Sequence, residues 1–498
     1  MSKLSFPAAH TVLLIIAALV AIMTWLVPAG QYDRLAFDKE KQLFVRSGEA
    51  EGQTYPATQQ SLDQLNIRIP LEKFTGGDIW KPIGIPNTYH QLPSKPQGIK
   101  AFIQSPLRGI MEAIDVILFV IIIGGFIGVV NYTGAFDAGM NWLANRLKGR
   151  ESILIVIITS LIALGGTTFG LAEETIAFYP ILVPIFLLAG YDAMVALAAI
   201  YVGSSIGSMV STVNPFSVII GSDAAGITWT TGMNGRLAFL IVGTSVCIWY
   251  IIRYANMVKK DPSRSLIHDK KNAIEALFLH TAAKANIAFT HRIRLILLLF
   301  ISSFVVMIVG VSKLDWWFLE MTTVFFIASI LIGLVAKLGE KKFISEFVKG
   351  SNDLLSVALI IGFARGVTVL MDDGLISDTL LFHASGLTEG MNKGIFVNAM
   401  MFIYAGLSFF VPSSSGMAVL TMPIMAPLAD SVGVGREMVV NAYQYGMGLF
   451  SFINPTGLIL ASLAMVEVGF DRWMRFVMPL VAMLTLLTMM ALTIQAYL

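Results

Sequence analysis

Charged residues and cysteines are both scarce in this sequence. Only 13% of its 498 residues are Asp, Glu, Lys or Arg, and 56% are hydrophobic. Soluble domains carry roughly 25% charged residues, so the balance predicts an integral membrane protein. The one cysteine, Cys247, excludes an intrachain disulfide and a cysteine-based metal site. The formal net charge of +2 is too small to indicate a nucleic-acid partner.

The sequence also lacks the constellation that an intramembrane enzyme would need. Its six histidines lie at the ends of apolar segments or in polar stretches, and no zincin motif is present. We therefore expect no enzymatic activity and no cofactor beyond a coupling ion. A channel is not favoured either, because no continuous polar helix face accompanies the interrupted apolar regions described below.

Seven uninterrupted apolar segments are long enough to cross the roughly 30 Å hydrocarbon core of a bilayer. They lie near residues 10–29, 110–131, 234–256, 292–312, 317–338, 352–371 and 474–496. Lys3 precedes the first one, but the Pro28-Ala-Gly that follows is a poor cleavage site, so we predict a retained helix. Two further regions, 152–224 and 393–466, are apolar but interrupted by Gly, Pro, Ser, Asn and Thr.

Two polar stretches predict the orientation of the chain. Residues 31–108 mix both signs of charge, whereas residues 257–294 carry an excess of Lys and Arg. The positive-inside rule places in the cytoplasm the N-terminus and the basic stretches at 145–150, 257–294 and 337–342. The 31–108 segment then lies outside. These assignments agree only if 152–189 and 393–429 are re-entrant hairpins, entering from the cytoplasmic and the outer side respectively.

The two halves of the sequence resemble each other. The segment "DVILFVIIIGGFIGVV" from Asp115 aligns with "DLLSVALIIGFARGVT" from Asp353, and "STVNPFSVII" around Asn214 aligns with "SFINPTGLIL" around Asn454. A pair of prolines spaced by four residues occurs in each interrupted region. These blocks in one order indicate a duplication, and the charge bias places the halves in opposite orientations. Inverted repeats with broken helices are typical of secondary transporters whose substrate site lies at the membrane midplane.

Each half contains two places where irregular chain is predicted at membrane depth. Such chain must line protein or water, because lipid offers no hydrogen-bond partner. The first half has the hairpin tip "GGTTFG" and a break at 203–215, and the second half has "VPSSSG" and a break at 443–456. Asn-Pro begins a new half-helix in each break. We predict substrate contacts from the polar residues of these four places: Thr167, Thr168, Ser204, Ser205, Thr212, Asn214, Ser413, Ser414, Ser415, Tyr443, Gln444, Asn454 and Thr456.

Two adjacent carboxylates, Glu173 and Glu174, follow the first hairpin tip. Intramembrane carboxylates are costly and mark functional sites. Three roles are open: contact with a cationic group of the substrate, transfer of a coupling proton, or capping of the hairpin helix. Adjacent helical residues point about 100° apart, so the two carboxylates need not face one ligand.

Arg365 is the remaining charged candidate. It stands where the first repeat has Ile127, so duplication does not account for it. It can clamp a substrate carboxylate or pair with nearby Asp372 or Asp373, and the sequence leaves both roles open. The coupling ion is open as well: oxygens at the breaks suit Na⁺, but proton coupling and plain exchange are equally compatible. The candidate Na⁺ positions lie near Gly166, Ser208, Asn214, Ser414 and Asn454.

At these residues the chain resembles the C4-dicarboxylate anaerobic carrier family (DcuC/YfcC-like) of the ion transporter superfamily. The motifs that carry the resemblance are "WLVPAGQYDR" at 25–34, "FGLAEETIAFYP" at 169–180, the two Asn-Pro breaks and "VPSSSG". The resemblance spans nearly the whole chain and is closest to the YfcC-like branch, whose relatives include arginine/ornithine exchangers. It implies an all-α polytopic membrane protein with an inverted repeat, two re-entrant helical hairpins and two broken helices. It also implies a dimeric scaffold and an elevator-type transport domain.

We divide the chain on this basis. Scaffold helices of the first repeat (1–150, with the outer loop 31–108) precede its hairpin and broken helix (151–233). Connecting helices with the basic linker 257–291 (234–316) lead to the second-repeat scaffold (317–392), hairpin and broken helix (393–466) and last helix (467–498). Dimer contacts are expected through 317–350 and its repeat mates near 10–29 and 131–150.

The expected function is secondary active transport of small charged metabolites across the bacterial cytoplasmic membrane, with the N-terminus in the cytoplasm. The family name suggests dicarboxylates, but a dianion would meet Glu173 and Glu174 with little compensating charge. Basic amino acids are therefore expected, and a carrier of dicarboxylates or other organic anions is the alternative. The expected partners are the small-molecule substrate, the lipid bilayer and a second copy of the chain.

Overall fold

The computed structural model describes residues 9–48, 52–67, 69–76, 79, 82–135, 138–139, 151–279, 290–314, 316–387 and 390–497. Most of these residues are helical. Six helices among them are long and apolar enough to cross a membrane: Ile114–Tyr132, Met233–Lys260, Phe318–Val335, Leu355–Gly374, Lys393–Phe410 and Phe470–Tyr497. The basic stretch at 145–150 and residues 280–289 of the basic linker lie outside the described residues.

The other helices are shorter, less apolar or both. They are Ala9–Leu26, Gln59–Gln64, Leu71–Thr75, Ile99–Glu112, Ser152–Phe169, Tyr179–Leu188, Ala193–Met209, Ile220–Ala224, Lys271–Leu279, His291–Lys313, Glu340–Asp353, Ser377–Gly386, Ser414–Val432, Arg436–Ser451 and Ile459–Met465. Short 3-10 or π helices occur at Glu173–Phe178, Pro215–Ile219, Pro262–Arg264 and His268–Lys270. All seven predicted apolar segments are confirmed as helices.

The residues between the first helix and Ile99 form a small mixed domain, which corrects the expectation of an all-α chain. We call residues 30–98 the insert domain. Four of its strands make one antiparallel sheet in the order Thr54–Pro56, Leu43–Ser47, Arg34–Asp38 and Ile83–Gly84, and Gly30–Gln31 pairs separately with His90–Gln91. Phe44 and Phe74 form its core with ring centroids 5.1 Å apart. Strands of two to five residues give too few alternations to be recognised in the sequence.

Helices from the two halves pack in a reciprocal pattern. Ile99–Glu112 lies along Leu355–Gly374, and Glu340–Asp353 lies along Ile114–Tyr132. The sequence repeat relates Ile114–Tyr132 to Leu355–Gly374, so each half lends one helix to the equivalent helix of the other half. The described helices therefore interleave and do not form two separate bundles.

Glycines set the spacing at both of these crossings. The backbone at Gly109 lies directly on Gly362, and the backbone at Gly350 lies on Gly124 and Gly128. A Cβ on Gly109 or Gly350 would collide with the carbonyl of the facing glycine. Small residues let helix backbones approach closely in membrane proteins. Gly124 and Gly362 occupy matching positions in the two similar sequence blocks, so both halves contain the same close glycine packing.

Each half also contains a hairpin. The first hairpin comprises Ser152–Phe169, a turn with the 3-10 helix Glu173–Phe178, and Tyr179–Leu188; the second comprises Lys393–Phe410 and Ser414–Val432. The first arm of each hairpin lies along the broken helix of its own half, Ala193–Met209 or Arg436–Ser451. The hairpins and broken helices together form what we call the hairpin domain.

The breaks in the two broken helices are shorter than predicted. Helix persists through Met209 and Ser451, so irregular chain is confined to residues 210–214 and 452–458. The Gly and Ser residues before those points are helical because they serve close helix packing. The backbone at Gly207 lies against Ala163, for example, which the absence of a side chain permits.

The two broken helices run in opposite directions. The first one starts at Asp192, which accepts a hydrogen bond from Ser265 of the basic linker (2.6 Å), and ends at Asp223, which pairs with Lys73 of the insert domain (3.0 Å). The second one begins beside the insert domain at Arg436 and ends beside the basic linker, where Lys270 donates to the Glu467 carbonyl (2.9 Å). The insert domain and the basic linker therefore cover opposite ends of the hairpin domain.

Candidate functional site

Asn214 and Asn454 close the two breaks with equivalent pairs of hydrogen bonds. The Asn214 amide oxygen accepts from the Phe216 N–H (2.9 Å), and its nitrogen donates to a carbonyl in the last turn of the first hairpin arm (3.4 Å). The Asn454 amide oxygen accepts from the Thr456 N–H (3.0 Å). Its nitrogen donates to the Ser408 carbonyl (3.1 Å), near the end of Lys393–Phe410, the first arm of the second hairpin. Each asparagine closes a tight turn over the residues that follow it and ties the break to its own hairpin.

Thr167 joins the first hairpin arm to the first break. Its hydroxyl donates to the Val210 carbonyl (2.7 Å) and lies 3.1 Å from the Thr212 hydroxyl. Its own carbonyl accepts from the Thr212 and Val213 N–H groups at 3.1 and 3.2 Å. In the second half the Thr456 hydroxyl makes the corresponding link, donating to the Phe409 carbonyl (3.1 Å). Both breaks are thus held to their hairpins through hydroxyls.

Backbone at the first hairpin tip approaches the broken helix closely. Gly166 leaves no room for a Cβ beside the Ser204 carbonyl and the Ser208 N–H, so these three predicted residues do meet. Gly170 adopts a left-handed conformation with φ 77° and lies against the Asn214 amide, where a Cβ would be 2.9 Å from the amide nitrogen. Only glycine tolerates both demands at that position.

The second hairpin tip meets the first broken helix. The Ser414 hydroxyl donates to the Phe216 carbonyl (2.9 Å), and the Tyr443 hydroxyl donates to the Ser414 carbonyl (2.7 Å). Tyr201, which the sequence reasoning missed, makes a similar crossing: its hydroxyl donates to the Ser451 carbonyl (2.7 Å). The sequence feature that could have indicated Tyr201 is the position of an aromatic residue inside a run of small residues. Elements of the two halves therefore converge at the breaks.

The other predicted hydroxyl and amide residues are placed less uniformly. Ser413 caps Ser414–Val432, the second arm of the second hairpin, by accepting the Gly416 N–H (3.2 Å). Ser205 is buried in the helix beside Ser204, and Ser415 is half-buried at the second tip. Gln444 is buried, and neither atom of its amide has a hydrogen-bond partner within the described residues. A buried amide without a partner is costly, so Gln444 is a candidate for contact with water or with a ligand.

Thr168 does not join this assembly. It is exposed on the first hairpin arm, where its hydroxyl donates back to the Leu164 carbonyl at 2.6 Å. Arg365 is also separate: its Nε lies 3.2 Å from a Glu112 carboxylate oxygen, and both side chains are about 40% exposed, at 40% and 42%. Asp373 pairs instead with Arg108, and Asp372, the other partner considered from the sequence, lies close enough to Arg365 for an electrostatic interaction only.

The two glutamates at the first tip differ in their surroundings. Glu174 is only 9% exposed and accepts the Ala172 N–H at 3.1 Å, so it caps the turn that precedes it. Glu173 is half-buried and lies close enough to Asp115 and Tyr201 to interact with them electrostatically. Neither glutamate forms an ion pair within the described part of the chain. The sequence could not separate them, because their contacts depend on the turn.

No group of three or more His, Cys, Asp and Glu residues in the described ranges could hold a metal ion. Oxygens at the breaks come instead from hydroxyls and carbonyls, at Gly166, Ser208 and Ser414 among others. Hard cations accept such neutral oxygens as ligands. The donor set there is compatible with a coupling Na⁺ but does not require one.

Comparison with known proteins gives consistent matches over the whole chain. The family model for the C4-dicarboxylate anaerobic carrier matches residues 6–497. An uncharacterized protein of Haemophilus influenzae is 43% identical over 493 residues, covering 99% of this chain and 97% of its own. The "Putative basic amino acid antiporter YfcC" of Escherichia coli is 29% identical over 503 residues, covering 97% and 95%.

Two solved structures of transporters share a weaker likeness. The YdaH transporter of Alcanivorax borkumensis aligns with a TM-score of 0.40 and 12% identity over 98% of both chains. MtrF of Neisseria gonorrhoeae aligns with a TM-score of 0.39 and 16% identity, covering 100% of this chain and 96% of that one.

Proposed function

The chain belongs to the C4-dicarboxylate anaerobic carrier family and is a membrane transporter of that type, and from this premise we propose that it carries basic amino acids. Transport is by exchange or ion-coupled uptake across the bacterial cytoplasmic membrane. The hairpin domain moves as an elevator against a dimeric scaffold. The N-terminus is cytoplasmic. The E. coli relative's name as a basic amino acid antiporter agrees with this substrate class.

The observation that carries the proposal is the charge difference between the hairpin tips. At the first tip Glu173 lies near Asp115. Two neighbouring carboxylates favour the binding of a cation between them. The second tip carries Ser413, Ser414 and Ser415 and no carboxylate. A molecule with a cationic end and a carboxylate end suits this polarity. An amino acid with a basic side chain is such a molecule.

The second tip offers partners for the substrate carboxylate. The helix Ser414–Val432 begins there, and a helix N-terminus presents N–H groups and partial positive charge. The Gln444 amide can donate a further hydrogen bond. Glu173 is the carboxylate that receives the substrate's cationic group, because Glu174 is already engaged by the Ala172 N–H.

The reciprocal helix packing and the opposed broken helices support an inverted repeat. The insert domain and the basic linker contact opposite ends of the hairpin domain, as an inverted arrangement requires. Excess positive charge on the linker then assigns it to the cytoplasm and the insert domain to the outer face. The substrate site lies between the two breaks, near the middle of the membrane.

A dicarboxylate carrier is the second candidate, and Arg365 favours it. This arginine lies inside the span Leu355–Gly374 and is partly exposed. Intramembrane charges face protein or a water-filled cavity, so its guanidinium is placed to meet an anion on the way to the site. Release of Glu112 would free it for that contact.

A ligand-stabilisation screen on the purified protein separates the two candidates. A ligand that binds only the folded state raises the melting temperature by mass action. We expect stabilisation by arginine and ornithine, a weaker effect of citrulline, and none by succinate or fumarate. Repeating the screen with and without Na⁺ tests the coupling ion. Stabilisation by dicarboxylates alone would contradict the basic amino acid assignment and support the dicarboxylate carrier.

A further inference from the structure

The insert domain interrupts only one of the two halves. It separates Ala9–Leu26 from Ile99–Glu112, whereas the helices that pack in the equivalent places, Phe318–Val335 and Glu340–Asp353, are joined directly by residues 336–339. A short connection therefore suffices to build this part of the fold. The extra domain needs another explanation, and its contacts supply one.

One side of the insert domain is fixed to the scaffold. Arg34 Nη2 lies 2.8 and 2.9 Å from the two oxygens of Asp378, which is 4% exposed, and the Tyr32 N–H donates to the same carboxylate (2.9 Å). The ring of Tyr89 stacks on Phe382 with centroids 4.2 Å apart. Burial raises the pKa of Asp378, and the Arg34 guanidinium opposes that shift.

The other side of the insert domain rests on the hairpin domain through an ion pair and close backbone packing. Lys73 pairs with Asp223 at 3.0 Å, and Asp223 is fully buried at the end of the first broken helix. Gly84 lies on the Leu420 carbonyl of the second hairpin, where a Cβ would stand 3.3 Å from the oxygen. Ile67 lines a small cleft together with residues of the second hairpin.

These two attachments bridge the two bodies that an elevator must move apart. A shift of the hairpin domain toward the cytoplasm would separate Asp223 from Lys73 and Leu420 from Gly84. The two-oxygen contact of Arg34 with Asp378 and the stacking on Phe382 would keep the insert domain on the scaffold. The interface with the hairpin domain is therefore the one that opens in the elevator step.

We propose that the insert domain is a latch, anchored on the scaffold, that holds the hairpin domain in its outermost position through Lys73–Asp223 and the Gly84–Leu420 contact. The inference rests on the elevator mechanism of the proposed function. The latch opens once in each transport cycle and closes again when the hairpin domain returns. Its strength sets the fraction of time that the site faces outward.

The first test measures this position without any substrate. Spin labels on cysteines replacing the exposed Leu319, at the start of the scaffold helix Phe318–Val335, and Lys393, at the base of the second hairpin, report the distance between the two bodies. The native Cys247 is buried and does not compete for the label. Lys73→Met should shift the distance distribution away from the latched value, and Lys73→Arg should retain it. Identical distributions in Lys73→Met, Asp223→Asn and the parent would overturn the latch.

The second test locks the interface covalently. A cleavable bifunctional thiol reagent joins cysteines placed at Lys73 and Asp223, and transport should fall at least tenfold and return on cleavage. The matched control joins cysteines at Tyr89 and Phe382, on the scaffold side, and should leave transport at its uncross-linked rate. Full transport in the Lys73/Asp223 cross-linked protein would overturn the latch.

Failure of the proposed function would look different. If no basic amino acid stabilises the uncross-linked protein or is transported by it, the substrate assignment is wrong. The spin-label distances would still test the latch. If a basic amino acid binds and is transported but the cross-link has no effect, the latch alone falls.

Discussion

The two hairpins differ most at their tips. The first hairpin turns through Gly170 and a 3-10 helix that carries Glu173 and Glu174, whereas the second turns directly into a helix capped by Ser413. Behind the tips the two halves use the same devices: an asparagine that ties each break to its hairpin, and glycine crossings between borrowed helices. The backbone features behind the tips are alike in the two halves, whereas the tips differ in charge. Divergence at the tips is what a site for an asymmetric substrate requires.

Replacing Asn214 or Asn454 should have the largest effect, because these residues hold the breaks of both halves to their hairpins. Asn214→Leu or Asn454→Leu leaves a buried carbonyl and N–H without partners, at a cost of about 1–3 kcal/mol each. We expect uptake of labelled arginine into proteoliposomes to fall by about 100-fold or more in both variants. Expression and elution on size exclusion should change little.

The matched control is aspartate at the same two positions, which keeps the acceptor and loses the donor, and an intermediate loss is expected. A large loss in only one of the two leucine variants would show that the breaks are not equivalent.

Charge at the first tip is the second target. Glu173→Gln keeps the shape of the side chain but removes the charge. Because Glu173 is only half-buried, the affinity for arginine should fall by about 10- to 100-fold, less than the roughly 3–5 kcal/mol cost of breaking a fully buried pair. Neutral citrulline should lose far less. Glu174→Gln should leave the ligand preference intact and affect stability instead, because its contact is with the Ala172 N–H.

Calorimetry on both variants measures the binding constants for arginine and citrulline and tests these expectations. Equal losses for arginine and citrulline in Glu173→Gln would indicate a folding defect. Normal binding combined with the loss of pH-driven accumulation would assign Glu173 to proton coupling.

Hydroxyls that join hairpins to breaks give a smaller effect. Thr167→Val removes the bond to the Val210 carbonyl, and Ser414→Ala removes the bond to the Phe216 carbonyl. Each change should lower the free energy of unfolding by about 1 kcal/mol. The melting temperature in detergent measures it. An unchanged melting temperature for Ser414→Ala would show that the second tip is not held by the first broken helix.

Thr168→Val should have the smallest effect of all. Its hydroxyl bonds back into its own helix and its side chain is exposed, so stability and transport should stay within about 0.5 kcal/mol of the parent. A transport defect with unchanged melting temperature would return Thr168 to the substrate site.

Sequence patterns predicted the long apolar helices closely because length and hydropathy decide them. The segment expected at 292–312 is the helix His291–Lys313, and the one expected at 474–496 is Phe470–Tyr497. The Asn-Pro pairs correctly indicated the breaks. The break boundaries were wrong because Ser204 and Gly446 serve helix packing, and a small residue looks the same in either role.

Contacts between distant parts of the chain were out of reach of the sequence. The pairing of Arg365 with Glu112 depends on how Ile99–Glu112 crosses Leu355–Gly374, and nothing local predicts that crossing. Tyr201 was missed for the same reason, since its partner Ser451 lies in the other half. The strands of the insert domain were missed because each is too short to show a period.

The interleaved glycine crossings have a consequence for how the protein is made. Ile99–Glu112 leaves the ribosome long before Leu355–Gly374, the helix it must lie against, has been translated. Proteins of this size commonly fold through intermediates that expose apolar surface. The nascent first half therefore waits in the membrane with its Gly109 face uncovered, and the second half completes both crossings at once when it inserts. Two separately expressed halves should accordingly be unstable alone and recover activity only when they are produced together.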